Sequence, residues 1–212
     1  MEFTPKEIED YCKQFSTEES KILLDLSKKT WESEESPQMI SGSLIGGLLQ
    51  MLIKISGSKN ILEIGMFTGY SALKMAEVLP EDGRMHTCEL NPEYIKTAKK
   101  WFEKSSAKNK IFIHEGKALE SLKKFNPGSF DFFFIDADKE NYPRYLEQSL
   151  NLLKVEGIGV LDNMLWSGKV LTPKDPDSIA IRETAKIIKN NPNLEPLLLP
   201  VRDGVMIFRK IK

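Results

Sequence analysis

The sequence predicts an α/β domain built on a doubly wound, mostly parallel sheet, and three features carry that expectation. Short runs of bulky apolar residues, such as Phe132 to Ile135, have the pattern of strands buried on both faces. Helical patterns alternate with these runs five times before two strand-like runs close the chain as a hairpin. Gly65 and Gly69 stand where the first run turns into its helix, where such folds bring backbone against a ligand.

At 212 residues the chain suits one domain, 1–212, with 1–38 as a helical appendage inside it. Its 30 basic and 31 acidic residues give a net charge of -1, no overall footprint for nucleic acid or an anionic membrane, though a local basic patch stays open. No apolar run approaches the roughly 20 residues of a membrane span, and residues 1–15 lack a signal peptide's basic-then-apolar order. Cys12 and Cys88 lie in different elements and offer neither a disulfide framework nor a zinc site, which points to a reducing cytoplasm. His86 and His114 read as ordinary strand residues, so any general base must be sought elsewhere.

Thr4-Pro5-Lys6-Glu7 reads as a capping box with proline at the first helical position, and Ile8, Tyr11, Cys12 and Phe15 repeat at helical spacing. A second helix opens at 16–19 and turns Leu23 and Leu26 inward; its apolar stripe suits a subunit interface, the ligand or plain core packing. Residues 31–41, acidic and broken by Pro37, read as a loop. Helix returns over 41–55 with Leu44, Leu48, Met51, Leu52 and Ile55 on one face. Strands follow at 59–65, 84–90, 111–114, 132–135 and 157–161, with helices over 70–79, 91–105, 118–124 and 141–154 between them. Pro143 is tolerated in the first turn of the last of these. Residues 170–176 form a loop and 178–190 a helix, which Asn191-Pro192 stops. Strand-like runs at 194–201 and 205–210 flank the turn Arg202-Asp203-Gly204. The result is a Rossmann-like, seven-stranded sheet with an antiparallel C-terminal strand and extra N-terminal helices.

The run 129–142 (SFDFFFIDADKENY) stops its strand on Asp136, with Asp138 and Lys139 just beyond. The run 160–168 (VLDNMLWSG) likewise ends on Asp162 and Asn163. Ligands bind outside the carboxyl ends of parallel strands, so Asp136, Asp162 and Asn163 could converge on a hard cation such as Mg²⁺. Helix capping is the plainer reading. Two such strand ends, with Lys139 and Trp166 alongside, favour a site.

The glycine turn after Leu62-Glu63-Ile64, and Glu89 at the end of the next strand, suggest an adenosine-containing cofactor whose ribose hydroxyls meet a carboxylate. The spacing is E-x-G-x-x-x-G, not the G-x-G-x-x-G that seats a pyrophosphate. A negative charge at Glu63 would repel phosphate and suit an ammonium. S-adenosylmethionine, cationic and free of phosphate, is therefore favoured over NAD.

From about Met39 onward the chain resembles the cation-dependent O-methyltransferases of the caffeoyl-CoA O-methyltransferase type, and more distantly catechol O-methyltransferase. The resemblance rests on EIGMFTGYSAL, EDGRMHTCELNPEY, FDFFFIDADKENY, LDNMLWSG and LPVRDGVMIFRK, in the family's order and spacing. It implies a divalent cation, Mg²⁺ first with Mn²⁺ or Ca²⁺ as alternatives, on Asp136, Asp162 and Asn163. It implies a donor pocket of Met39, Ser41, Glu63, Gly65, Phe67, Ser71, Glu89, Ala118 and Asp136, with Asp138 supporting the loop. Lys139 falls where the family has its general base and Trp166 where its aromatic acceptor packs. A homodimer is also implied. One departure is that 170–178 reads VLTPKDPDS, without the tyrosine- and arginine-containing segment of plant members, which puts a plant-like phenylpropanoid thioester in doubt.

The expected reaction moves a methyl group to a hydroxyl of a small vicinal-diol aromatic, a catechol or caffeoyl-like acceptor. Lys139 would take the proton; a salt bridge to Glu140 or a solvated helix start is its plainer role. Phe67 and Met39 could be simple packing, Ser71 a helix-start residue and Trp166 a core aromatic. Three rivals remain: a tRNA hydroxyuridine methyltransferase, a nicotinamide-dependent oxidoreductase, and a scaffold that has lost its chemistry.

Overall fold

The computed structural model describes residues 3–212. The N-terminal leader reading includes Met1 and Glu2, which lie outside those residues. Seven strands form one sheet in the order β3-β2-β1-β4-β5-β7-β6. They are β1 Asn60–Ile64, β2 Arg84–Glu89, β3 Ile111–Glu115, β4 Phe130–Ile135, β5 Leu153–Leu161, β6 Leu194–Leu199 and β7 Val205–Lys210. All neighbours run parallel except β7, which is antiparallel to both β5 and β6. The reversal of strand order between β1 and β4 opens the crevice where such sheets bind ligands.

The helices are α1 Lys6–Gln14, α2 Lys21–Ser33, α3 Gly42–Ser56, α4 Tyr70–Ala76, α5 Pro92–Phe102, α6 Ala118–Leu122, α7 Tyr142–Leu152 and α8 Pro176–Asn190. Alternation along β4 shows how they divide. Phe132 and Phe134 join a core with α2, α3, α4 and α5, whereas Phe133 and Ile135 join a second core with α7 and α8. All four are fully buried, which is why that segment carries no polar alternation.

Several local expectations change. Thr4 caps nothing: Pro5 holds the cap position of α1 without a side-chain hydrogen bond. The second helix begins only at Lys21 but runs on to Ser33, through the start of the expected loop, and buries Leu23 and Leu26 as foreseen. In α3 the buried stripe is Ile45, Gly46, Leu49 and Ile53, not the one containing Met51 and Ile55, which are 56% and 77% exposed. That helix is apolar nearly all round, so periodicity offered two stripes and the sheet took the other. By length and composition alone, Pro37–Ser56 is also apolar enough to cross a membrane, which corrects the expectation that no run approaches a span. β5 starts four residues early, because α7 ends at Leu152 and the chain turns straight into the sheet, with a register shift opposite Phe130 and Phe132.

Candidate active site

A cavity of about 1160 Å³ opens at the carboxyl ends of β1, β2, β4 and β5. Every residue expected at the site reaches its wall except Glu63. Glu63 lies behind the wall, fully buried, with Oε2 accepting a 2.5 Å hydrogen bond from the Thr87 hydroxyl and Oε1 lacking any. Burial pushes its pKa up to about 8, against the opposing pull of the Ser71 and Thr87 hydroxyls. A group so inclined to hold its proton is a poor phosphate-repelling charge.

The turn after β1 needs glycine for a structural reason. Gly65 has φ +96°, and a Cβ there would lie 2.1 Å from the carbonyl oxygen of Asp136. The β1 and β4 ends can thus converge, with the Asp136 N–H donating to Ile64 O at 3.0 Å. Phe67, at φ +53°, turns its N–H onto Glu89 Oε2 at 2.8 Å. Glu89 Oε1 accepts from the N–H groups of Leu90 and Asn91, both at 2.8 Å. Three backbone donors therefore fix this carboxylate at the cavity wall, where lone pairs remain for a diol. Ser41 and Ser71 are buried, and Met39, 46% exposed, forms a rim. Ala118 opens α6 beside Gly116 and Lys117.

The opposite end collects charge. Asp162 is buried, and its Oδ1 accepts from the Asn163 N–H at 2.8 Å. Burial, and then the charge of Asp136, pushes Asp162 up to about 7. Asn163 adopts φ +59°, a bend that carries it to the same wall. Lys139 is buried rather than solvated, and its partner is not Glu140. Its Nζ lies 3.0 Å from Asp136 Oδ1 and donates at 2.8 Å to the Tyr142 hydroxyl. That hydroxyl donates in turn to Asp162 O at 3.0 Å. The Lys139 ammonium sits 4.7 Å from the Tyr142 ring centre and 5.6 Å from that of Trp166. Trp166 and Ser167 are both left-handed, pinned by the Ser167 N–H on Asp203 Oδ1 at 2.5 Å. Asp138 accepts from the Tyr145 hydroxyl at 2.6 Å and from Asn141 Nδ2 at 2.5 Å, so it braces the loop.

Among the described residues no three His, Cys, Asp or Glu side chains gather around a metal position, so a cation here must draw on the Asn163 amide oxygen. Two mutually repelling carboxylates beside an amide on one wall suit a hard divalent cation, which takes oxygen ligands and relieves the repulsion. The residues present fit the group.

The sequence reading missed Tyr142 and Arg202. IDADKENY contains the tyrosine, but its reach to two site residues depends on the 3₁₀ turn Lys139–Asn141 that precedes α7. Arg202 was read only as part of a turn. Its Nη1 donates to Ser41 O and, at 3.4 Å, to Ile40 O, and it lines the cavity. Nothing local in the sequence signals that contact.

The profile of an O-methyltransferase family matches residues 13–211. A caffeoyl-CoA O-methyltransferase of Medicago sativa is 39% identical over 180 residues, covering 79% of this chain and 73% of that protein. A tricin synthase of Oryza sativa is 37% identical, with 77% and 71% covered. The O-methyltransferase of Bacillus cereus in complex with S-adenosylhomocysteine superposes with a TM-score of 0.87 at 29% identity, over 96% of this chain and 97% of that one. A Podospora anserina methyltransferase bound to S-adenosylhomocysteine gives 0.88 at 26%, over 97% and 94%. With its glycine turn, its anchored Glu89 and a profile match spanning nearly its whole length, the chain belongs to the S-adenosylmethionine-dependent O-methyltransferases of the caffeoyl-CoA O-methyltransferase type.

Proposed function

We propose that the chain methylates a hydroxyl of a small aromatic acceptor bearing vicinal hydroxyls, using S-adenosylmethionine and a divalent cation, Mg²⁺ first, on Asp136, Asp162 and Asn163. One observation carries the reading: two carboxylates, an amide and a buried lysine share a wall of the donor cavity with the half-buried indole of Trp166. When bound, the cation supplies charge that lowers the pKa of a coordinated hydroxyl and orients it. Glu89 holds the ribose, and the Gly65 turn lets the donor approach the backbone. Lys139, held between Asp136 and Tyr142, is the group placed to hold the acceptor's proton at Nζ. Trp166 packs the acceptor ring.

The whole of 1–212 acts as one domain in this reading, in a reducing cytoplasm that suits the free Cys12 and Cys88. Two copies pair through α1, Phe15 just beyond it, and α3, where Ile8, Tyr11, Phe15 and Ile55 are exposed. The test is a screen of catechols and caffeoyl-like diols with Mg²⁺ and with EDTA, alongside Asp162→Ala. Transfer should require the metal and vanish in the variant. Full turnover in chelator would end the metal reading. Hypomodified tRNA hydroxyuridine in a deletion strain, with no small diol accepted, would replace the acceptor.

A further inference from the structure

Arg202 is an arginine in a conformation that favours glycine. Its φ is +50°, in the turn between β6 and β7. Side chains in that region carry strain, which persists where the surroundings over-determine it and is concentrated at ligand sites. Here the guanidinium reaches back across the fold to Ile40 O and Ser41 O through Nη1 alone. A guanidinium has five N–H donors. Among the described residues no hydrogen bond engages Nε or Nη2, and the side chain borders the cavity.

The wall it joins is the one the donor's tail must use. A sulfonium has three substituents. Its adenosyl group extends toward Glu89, and its methyl must face Lys139 and Asp136. The aminocarboxypropyl arm is left with the remaining wall, formed by Ser41, Tyr70, Ser71 and Arg202. That arm ends in a carboxylate. Arg202 is the cation on that stretch of wall, because the nearby Lys74 ammonium is already held by Glu19 at 3.0 Å. The charged and titratable groups facing Arg202 are Asp162 and the Tyr70 hydroxyl, and among the described residues neither accepts a hydrogen bond from it.

We propose that Arg202 binds the carboxylate of the donor's methionine moiety, with its free N–H groups as donors and the Ser41 and Ser71 hydroxyls beside it. The assignment rests on the donor site described above and adds to it a residue that discriminates the amino-acid tail. The contact with Ile40 and Ser41 then orients the guanidinium, and it explains why a strained arginine stands where glycine would be easier.

The test compares two ligands by calorimetry: S-adenosylhomocysteine, and its decarboxylated analogue S-adenosyl-3-thiopropylamine, which lacks only the carboxylate. Arg202→Gln should weaken S-adenosylhomocysteine about 10- to 100-fold, the range of a charge-assisted hydrogen bond, and leave the analogue within about twofold. Arg202→Gly relieves the backbone strain, so it should fold at least as stably and show the same selective loss. Equal losses for both ligands would reduce Arg202 to a brace for the 40–41 segment, and no loss for either would remove it from the site. If the unaltered chain binds neither compound, the donor reading falls, and this assignment with it.

Discussion

Replacing Glu63 with Gln tests the electrostatics behind the cavity. The ordinary carboxyl value is 4.5, and burial raises it to about 8 in the fold. An acid whose folded pKa lies above its unfolded one binds more protons when folded. Its contribution is therefore fully present below 4.5 and is lost as pH rises toward 8. Each tenfold change in proton affinity is worth roughly 1.4 kcal/mol, so between pH 6 and pH 8 the parent should lose about 2 kcal/mol through this group alone. Gln keeps the shape and carries no charge, so the variant should lack that loss. Asp162 moves in the same direction in both chains and cancels in the comparison. A new amide without a partner at the Oε1 position would lower the variant's stability equally at both pH values, leaving the slope untouched. The measurement is urea unfolding of both chains at pH 6 and pH 8. Parallel changes would refute the reasoning and show that Glu63 is ionised in the fold.

Three further outcomes are expected. Gly65→Ala drives a Cβ to 2.1 Å from the Asp136 carbonyl, so it should cost about 3 kcal/mol or more, and a thermal melt should fall by about 6–12 °C. Lys139→Met should cut kcat by about 100-fold or more while calorimetry shows S-adenosylhomocysteine binding unchanged; equal turnover would exclude Lys139 as the base. Ile55→Glu places a charge on the exposed α3 stripe, so sedimentation should show a dimeric parent and a monomeric variant if that face joins two copies.

The alternation of strands and helices was legible because buried parallel strands leave an unmistakable apolar run, as at β4, and because Asn91 caps α5 with its side chain. Asp175 caps α8 likewise, but the sequence reading places it in a loop and begins that helix two residues late, at 178 rather than Pro176. Sequence period failed where more than one face was apolar. In α3 two stripes compete, and only docking onto α4 and the sheet selects Ile45, Leu49 and Ile53. At the site, residues that end a strand could be found because strand ends and the cavity coincide: Asp136, Asp162 and Glu89 are of this kind. Residues that act across the fold could not. Arg202 lies 161 positions from the Ser41 carbonyl it holds, and Tyr142 is 20 from the Asp162 carbonyl.

Glu63 is the instructive case, since the preference for a cationic donor outlives it as the cause. Seven acidic and four basic side chains line the cavity, so the wall as a whole carries about three excess negative charges when all are ionised. A pyrophosphate placed there would add to that excess, in a partly desolvated space where repulsion is poorly screened. The sulfonium and ammonium of the methyl donor reduce it, and a divalent cation at Asp136 and Asp162 would reduce it further. Of the four basic side chains, Arg202 is then the one that the donor's tail requires. That tail carries one carboxylate, and a wall otherwise rich in acid needs one directed cation to receive it.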